Sequence, residues 1–273
     1  MLKDITLGQY FPLDSPIHKI DPRFKIIFTL CYIVLIFFAD SLAGYLAVAL
    51  FSLSIVALSK VKFSIVLKSI KPLAVIIAFT AVINIFFTAG DTVLFEWKFL
   101  KITREGLLNA VNMALRLVFL VIGSSLLTYT TSPIMLTDGI ERLLSPFSKI
   151  GLPSHELAMM MTIALRFIPT LLEETEKIIM AQKARGADFD SGNILRRAKA
   201  LIPVLVPLFI SSFRRADELA TAMECRCYRG GEGRTSMRQL RIGRIDWVSL
   251  LVMLIFAIVI ILIHITNFKI MGY

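Results

Sequence analysis

A chain of 273 residues that is 56% hydrophobic and only 18% charged, with a mean hydropathy of +0.75, carries more apolar surface than a soluble domain can bury, so an ordinary soluble fold is excluded. Its 30 Lys and Arg against 20 Asp and Glu leave a net charge of +10. The basic residues gather in the segments between apolar runs, as the positive-inside rule expects, and nucleic-acid binding is not needed to explain them.

Residues 1–25 are polar and proline-punctuated and lack the apolar core of a signal peptide. Lys3, Lys19, Arg23 and Lys25 predict that they stay inside. Residues 26–39 form a charge-free run of fourteen, short of the roughly 20 that a span needs, which Arg23 and Lys25 can lengthen by snorkelling. Asp40-Ser41 turns the chain, residues 42–58 run back, and Lys60, Lys62, Lys68 and Lys71 mark the inner end. Residues 72–90 are a third span. The loop at 91–104 is nearly balanced in charge, which fits the outer side. Residues 106–131 are a fourth span and contain Arg116 deep in an apolar stretch. A charge there costs about 2.5 to 3.5 kcal/mol and must find partners, with a structural bond to Asn109 or Asn112 the favoured reading and a contact inside the bundle the functional one.

Residues 132–244 hold 17 Lys and Arg against 12 Asp and Glu and read as one large cytoplasmic segment. Ser132-Pro133 starts a short amphipathic helix running to about Ile150, which Gly151-Leu152-Pro153 stops. Ser154 is a candidate N-cap for a long helix with an apolar stripe at Leu157, Met161, Leu165, Ile168 and Leu172, an i, i+4 pair of Glu173 and Lys177, and a stop at Gly186. A second long helical segment is expected from about 190 to 228. Its stretch 200–213 has no charge and carries Pro203 and Pro207, which predicts a kinked segment lying in or against the membrane. A Gly- and Arg-rich connector follows, then a charge-free final span at 247–268. The expected fold is therefore an all-α integral membrane protein of about five transmembrane helices. A membrane domain covers 1–131, a coupling module of about three helices 132–244 and a last span 245–273, with the N-terminus inside and the C-terminus outside.

Both long helices close on an arginine between small residues. Ala184-Arg185-Gly186 ends the first and Cys225-Arg226-Cys227 the second, with the arginines 41 positions apart inside a loose internal repeat. A helix C-terminus favours a cation, and Arg presents five donors in a rigid fork that small neighbours let into a groove. One such end is an ordinary solvated cap; two in one cytoplasmic segment are less so. Other signals fail. Cys225 and Cys227 lack a nearby Cys or His to complete a metal site, His155-Glu156 is followed by Met159 where a zinc-protease motif needs His, and the glycine-rich run at 230–235 lacks a phosphate-loop lysine. No catalytic constellation, cofactor, metal or ATP site is expected.

Gly8-Gln9-Tyr10, Asp14-Ser15-Pro16-Ile17-His18, Asp21-Pro22-Arg23-Phe24-Lys25, Ala184-Arg185-Gly186 and Ala222-Met223-Glu224-Cys225-Arg226-Cys227-Tyr228-Arg229-Gly230-Gly231 together resemble the transmembrane coupling subunit of energy-coupling factor (ECF) transporters, the EcfT/CbiQ family. The resemblance spans nearly the whole chain. It implies a multi-pass subunit of a bacterial plasma-membrane importer. Two ATPases, alike or different, would receive Arg185 and Arg226, and a separate membrane subunit would bind the vitamin or micronutrient substrate and could touch Arg116. The paired cysteines depart from the usual Ala before the arginine and small residue after it. A cobalt- or nickel-dedicated importer is the nearest alternative; of the readings from other classes, a self-contained secondary transporter needs ionisable groups at membrane depth, where the spans offer only Arg116, and an intramembrane enzyme needs a Ser/His, paired-Asp or metal cluster that they lack.

Overall fold

The computed structural model describes residues 9–88, 93–97, 100–151, 153–189, 193–230, 240 and 242–271. Gly8, Asp91, Lys98, Leu152, Asp190-Ser191, Gly231 and most of the connector before Arg244 lie outside them. Helix α1, Pro22–Phe37, starts where the Asp21 side chain accepts from the Arg23 N–H at 2.9 Å and Pro22 needs no donor. Helix α2, Leu42–Ser59, is capped by Ser41, which accepts from the Gly44 N–H. The third span does not begin at Pro72. Helix α3, Phe63–Ile70, passes through one 3₁₀ turn at Lys71–Leu73 into α4, Ala74–Phe87, so a helical stretch of 25 residues forms. Proline early in a helical turn lacks only a donor that would be unpaired anyway, so it does not break the path. Lys68 and Lys71 consequently sit on this stretch rather than at its foot.

The segment between α4 and the next helix is not irregular where it is described. Strand β1, Val93–Trp97, pairs antiparallel with β2, Leu100–Thr103. Thr103 then caps α5, Arg104–Thr130, and Gly106 lies so close to α4 that a Cβ there would be 3.1 Å from the Asn84 carbonyl oxygen. Helix α6, Pro133–Leu144, ends in a 3₁₀ turn at Ser145–Ile150; α7 is Ser154–Ala184, α8 Ile194–Cys225 and α9 Arg244–Met271. Ser154 is the first residue of α7 rather than its cap, which is Pro153.

Among the described residues, five helical stretches are long and apolar enough to cross a membrane: Leu42–Ser59, Phe63–Phe87, Arg104–Thr130, Ser154–Ala184 and Arg244–Asn267. The chain is an all-α integral membrane protein, with one small hairpin among the described residues. The set differs from the expected one in two members. Helix α1, at 16 residues, falls short, and α7 qualifies because most of its charges collect beyond Leu172.

Two compact units make up the chain, Gly8–Gly139 with Gln239–Tyr273, and Met1–Leu7 with Ile140–Arg238. In the first, the membrane unit, Tyr32, Ile36, Val48, Phe119, Phe256 and Ile260 form the core. Phe51 and Phe256 stack at 3.9 Å between ring centres. Tyr32 fills the space beside Gly123, where a Cβ would come within 2.3 Å of its ring, and its hydroxyl meets Ser52 Oγ at 2.7 Å. The second unit is dominated by α7 and α8 packed on each other.

Candidate functional site: two arginine-tipped helix ends

Arg185 is the C-cap of α7. The Gly186 N–H donates to the Lys183 carbonyl at 3.0 Å and the Ala187 N–H to the Gln182 carbonyl at 3.0 Å, while Gly186 takes a left-handed φ of 84°. Arg226 is the C-cap of α8, with the same two bonds: Cys227 N–H to the Glu224 carbonyl at 2.8 Å and Tyr228 N–H to the Met223 carbonyl at 3.0 Å. Each is a Schellman closure, in which the left-handed residue after the cap returns two orphan carbonyls to backbone donors. Here the left-handed residue is Cys227, at φ 55°, a conformation that L side chains rarely adopt. The helical segment expected to reach about Tyr228 thus ends three residues earlier, at Cys225. Ala184, Arg185, Gly186, Cys225, Arg226 and Cys227 are all exposed, so both guanidinium groups stand free of the helix body.

The two helices run antiparallel. Gln182 Nε2 on α7 donates to the Pro203 carbonyl on α8 at 3.4 Å, and further along Arg215 Nη2 donates to Glu174 Oε2 at 2.9 Å, with Ser211 Oγ donating to the other oxygen of the same carboxylate. A sequence shift of 41 residues carries Arg185 onto Arg226, and the same shift carries Glu174 onto Arg215. The ion pair therefore joins equivalent positions of the repeat, as happens at the dyad of a two-fold pair. Arg185 lies eleven residues beyond Glu174 and Arg226 eleven beyond Arg215, in opposite directions. At 1.5 Å per helical residue the tips stand at opposite ends of the pair, roughly 35 Å apart.

The model of a family described as cobalt transport protein, CbiQ, matches residues 14–237. The energy-coupling factor transporter transmembrane protein EcfT of Clostridium kluyveri is 61% identical over 256 residues, 93% of this chain and 95% of that protein. The chain belongs to the CbiQ/EcfT family. The EcfT proteins of Acidaminococcus fermentans, 60% identical over 93% of this chain and 94% of that one, and Lactococcus lactis, 47% identical over 96% and 98%, are similar along the same length.

For this EcfT-family chain the structure also accounts for the N-terminal motif. Ser15, His18, Asp21 and Lys25 are buried, polar and bonded to one another's neighbours at one end of the membrane unit. The Phe11 N–H donates to the Tyr129 carbonyl, and Lys25 Nζ donates to the Thr130 carbonyl at 2.8 Å, which ties the segment to the end of α5. The Asp21 N–H donates to Asp246 Oδ1 at 2.8 Å, which ties it to the start of α9. Burial alone would raise the Asp21 carboxyl, but Arg23, bound through Nε and Nη2, outweighs it and holds it below the usual carboxylate range. Burial holds the His18 imidazole below its ordinary value, against the pull of the Phe11 carbonyl that Nε2 reaches at 3.0 Å. Since that carbonyl only accepts, Nε2 carries the proton and Nδ1 accepts from Ser15 Oγ at 2.7 Å. Sequence reasoning saw this motif as a likeness without a role, because its partners lie as far as 225 residues away.

Arg116 does not turn to Asn109 or Asn112. Its Nη2 donates to Asp40 Oδ1 at 3.0 Å, its guanidinium lies 5.2 Å from the Phe37 ring centre, and His264 Nδ1 is 3.5 Å from the other Asp40 oxygen. Asp40 lies in the turn between α1 and α2, Phe37 at the end of α1 and His264 near the end of α9, where no spacing rule reaches. His155 pairs with Glu141 at 2.9 Å, and among the described residues no group of three metal-ligating side chains comes together.

Proposed function

We propose that this chain is the coupling component of an ECF-type importer, carrying ATP-driven motion from two cytoplasmic ATPases to a separate substrate-binding membrane subunit that takes up a vitamin or micronutrient. The observation that carries the reading is the pair of identically closed helix ends, each presenting one exposed arginine, at opposite ends of one antiparallel pair. Two such tips suit two equivalent grooves, one on each ATPase, with Arg as the anchor of a helix-in-groove contact. When the ATPases close on ATP they would displace both tips, and the helices would act as levers on the substrate-binding subunit. In this reading the subunit is non-catalytic and sits in the bacterial plasma membrane with its N-terminus inside and C-terminus outside; the membrane domain covers 1–131, the coupling module 132–244 and the last span 245–273. The family description that names cobalt favours one second reading, a metal-dedicated importer of the same architecture.

The test is an affinity pull-down from native membranes in mild detergent beside the Arg185→Glu, Arg226→Glu double variant, with uptake measured in parallel. Two nucleotide-binding subunits and a small membrane protein should accompany the wild type, and the ATPases should be lost from the variant; each Arg→Ala change alone should weaken docking by about 2 kcal/mol, roughly thirtyfold. Wild-type uptake by the double variant would overturn the proposal, and uptake by the purified chain alone in liposomes would put a secondary transporter in its place.

A further inference from the structure

A cavity of about 260 Å³ lies among α1, α2, α5 and α9 of the membrane unit, and the coupling reading makes no use of it. Tyr32, Phe51 and Met253 close it at one end; Ile17 and Ile20 of the N-terminal segment and Lys25 bound the other. Leu58 on α2 and Val248 and Val252 on α9 line it and are themselves about half exposed or more, so it opens sideways, where the bilayer lies. Its walls are almost wholly apolar. Such a space excludes water and takes hydrocarbon, and a benzene ring is held by one of only roughly 150 Å³.

Lys25 is, among the described residues, the one charged residue of the cavity's lining. It is 5% exposed, and of its three ammonium donors one goes to the Thr130 carbonyl at 2.8 Å and one to the His18 carbonyl at 3.3 Å. The neighbouring carboxylates are engaged elsewhere, Asp21 by the Arg23 guanidinium and Asp246 by the N–H groups of Asp21 and Gly243. A third donor on a full positive charge is left at the end of a hydrocarbon-lined slot. Lys60 and Lys62, both exposed, follow at once on the end of α2 that bears Leu58. Basic groups between helix ends at a cytoplasmic surface select anionic headgroups.

We propose that the slot holds one acyl chain of an anionic phospholipid from the cytoplasmic leaflet, with its phosphate at Lys25, Lys60 and Lys62. The inference rests on the inside placement of this end of the bundle and is independent of ATPase docking. It is tested on the full chain in lipid nanodiscs, alone and with its co-purified partners, by photolabelling with phosphatidylglycerol carrying a diazirine in mid-chain. Phosphatidylcholine with the same tail and a free diazirine fatty acid form the parallel arms, and labelled residues are mapped by mass spectrometry. Phosphatidylglycerol should label Leu127, Ser249 and Val252 well above phosphatidylcholine. Ser249→Trp, which fills the slot, should abolish that label and leave the label on lipid-facing Phe79. Because Lys25 also holds the N-terminal segment, the charge test is Lys60→Ala with Lys62→Ala, which disturbs no buried group and should lower the preference roughly fivefold for each lysine.

Label spread evenly over the slot and Phe79, or unmoved by Ser249→Trp, would overturn the proposal. Equal labelling by the two phospholipids, or slot labelling by the fatty acid alone, would overturn the anionic phospholipid, and loss of slot label whenever the partners are present would assign the space to a protein neighbour. Membrane-impermeant thiol labelling of Lys60→Cys, in a chain whose Cys31, Cys225 and Cys227 are replaced by Ser, reads the leaflet directly, so a wrong orientation is distinguished from an empty slot.

Discussion

Cys227 sits in a left-handed conformation that costs a residue with a side chain about 1–2 kcal/mol and glycine almost nothing. Cys227→Gly should therefore firm the end of α8 by about 1 kcal/mol, read as slower hydrogen exchange at the Cys227 and Tyr228 amides that close it, with Arg226 untouched. Faster exchange would mean that the cysteine side chain holds the turn. His18 gives the second prediction at this scale. Its folded-state pKa is depressed, so its neutral bonds to Ser15 and Phe11 contribute fully above the unfolded value of about 6.5 and are lost as pH falls through the lower folded value. Thermal melts in detergent should drop by a few degrees between pH 7.5 and pH 5, and His18→Gln should flatten that slope. Asp21 adds nothing in this window, because its depressed pKa makes its contribution vanish only below the ordinary aspartate value of about 3.9.

Between the helices, Glu174 meets Arg215 and Ser211 with its side chain 23% exposed, so the tie is only partly screened. A double-mutant cycle with Glu174→Gln and Arg215→Gln should show a coupling of about 0.5–1 kcal/mol in chemical denaturation; strict additivity would mean that the two helices are held by apolar packing alone. Much of this level was legible in the chain. The apolar stripe after Ser154, the stop at Gly186 and the charge-free final span are local patterns, and each produced a helix within a few residues of its expected bounds. What escaped was non-local or permissive. Pro72 reads as a start, yet a 3₁₀ turn accommodates it. The strand pair after α4 lay in a loop read only for charge, and the closure at Cys227 uses a residue no stop rule names. The arginine tips could be read because a helix end is written in adjacent residues. The Glu174–Arg215 tie could not, although the 41-residue echo that relates its two ends was already visible.

For the whole molecule, the membrane unit is pinned at both ends by charge. At one end Asp21 reaches Asp246 and Lys25 reaches Thr130; at the other Arg116 meets Asp40 with His264 beside it. Breaking the second cluster at one partner leaves a cation in an apolar surrounding. Asp40→Asn should thus lower stability by about 1–2 kcal/mol, and Arg116→Met added to it should recover most of the loss, because the uncompensated charge is gone. A double variant less stable than the single would show that Arg116 works mainly through its place over the Phe37 ring.

The equal spacing of the two tips from the Glu174–Arg215 tie has a mechanical consequence. Two antiparallel rods tied midway between their tips, with arms of one length, turn through equal angles about that tie when the tips are displaced equally. Under the coupling proposed above, tips drawn equally would turn the pair about that tie without rolling it to one side, and an insertion of a single turn in α7 alone would lengthen one arm by about 5.4 Å and turn part of that stroke into tilt.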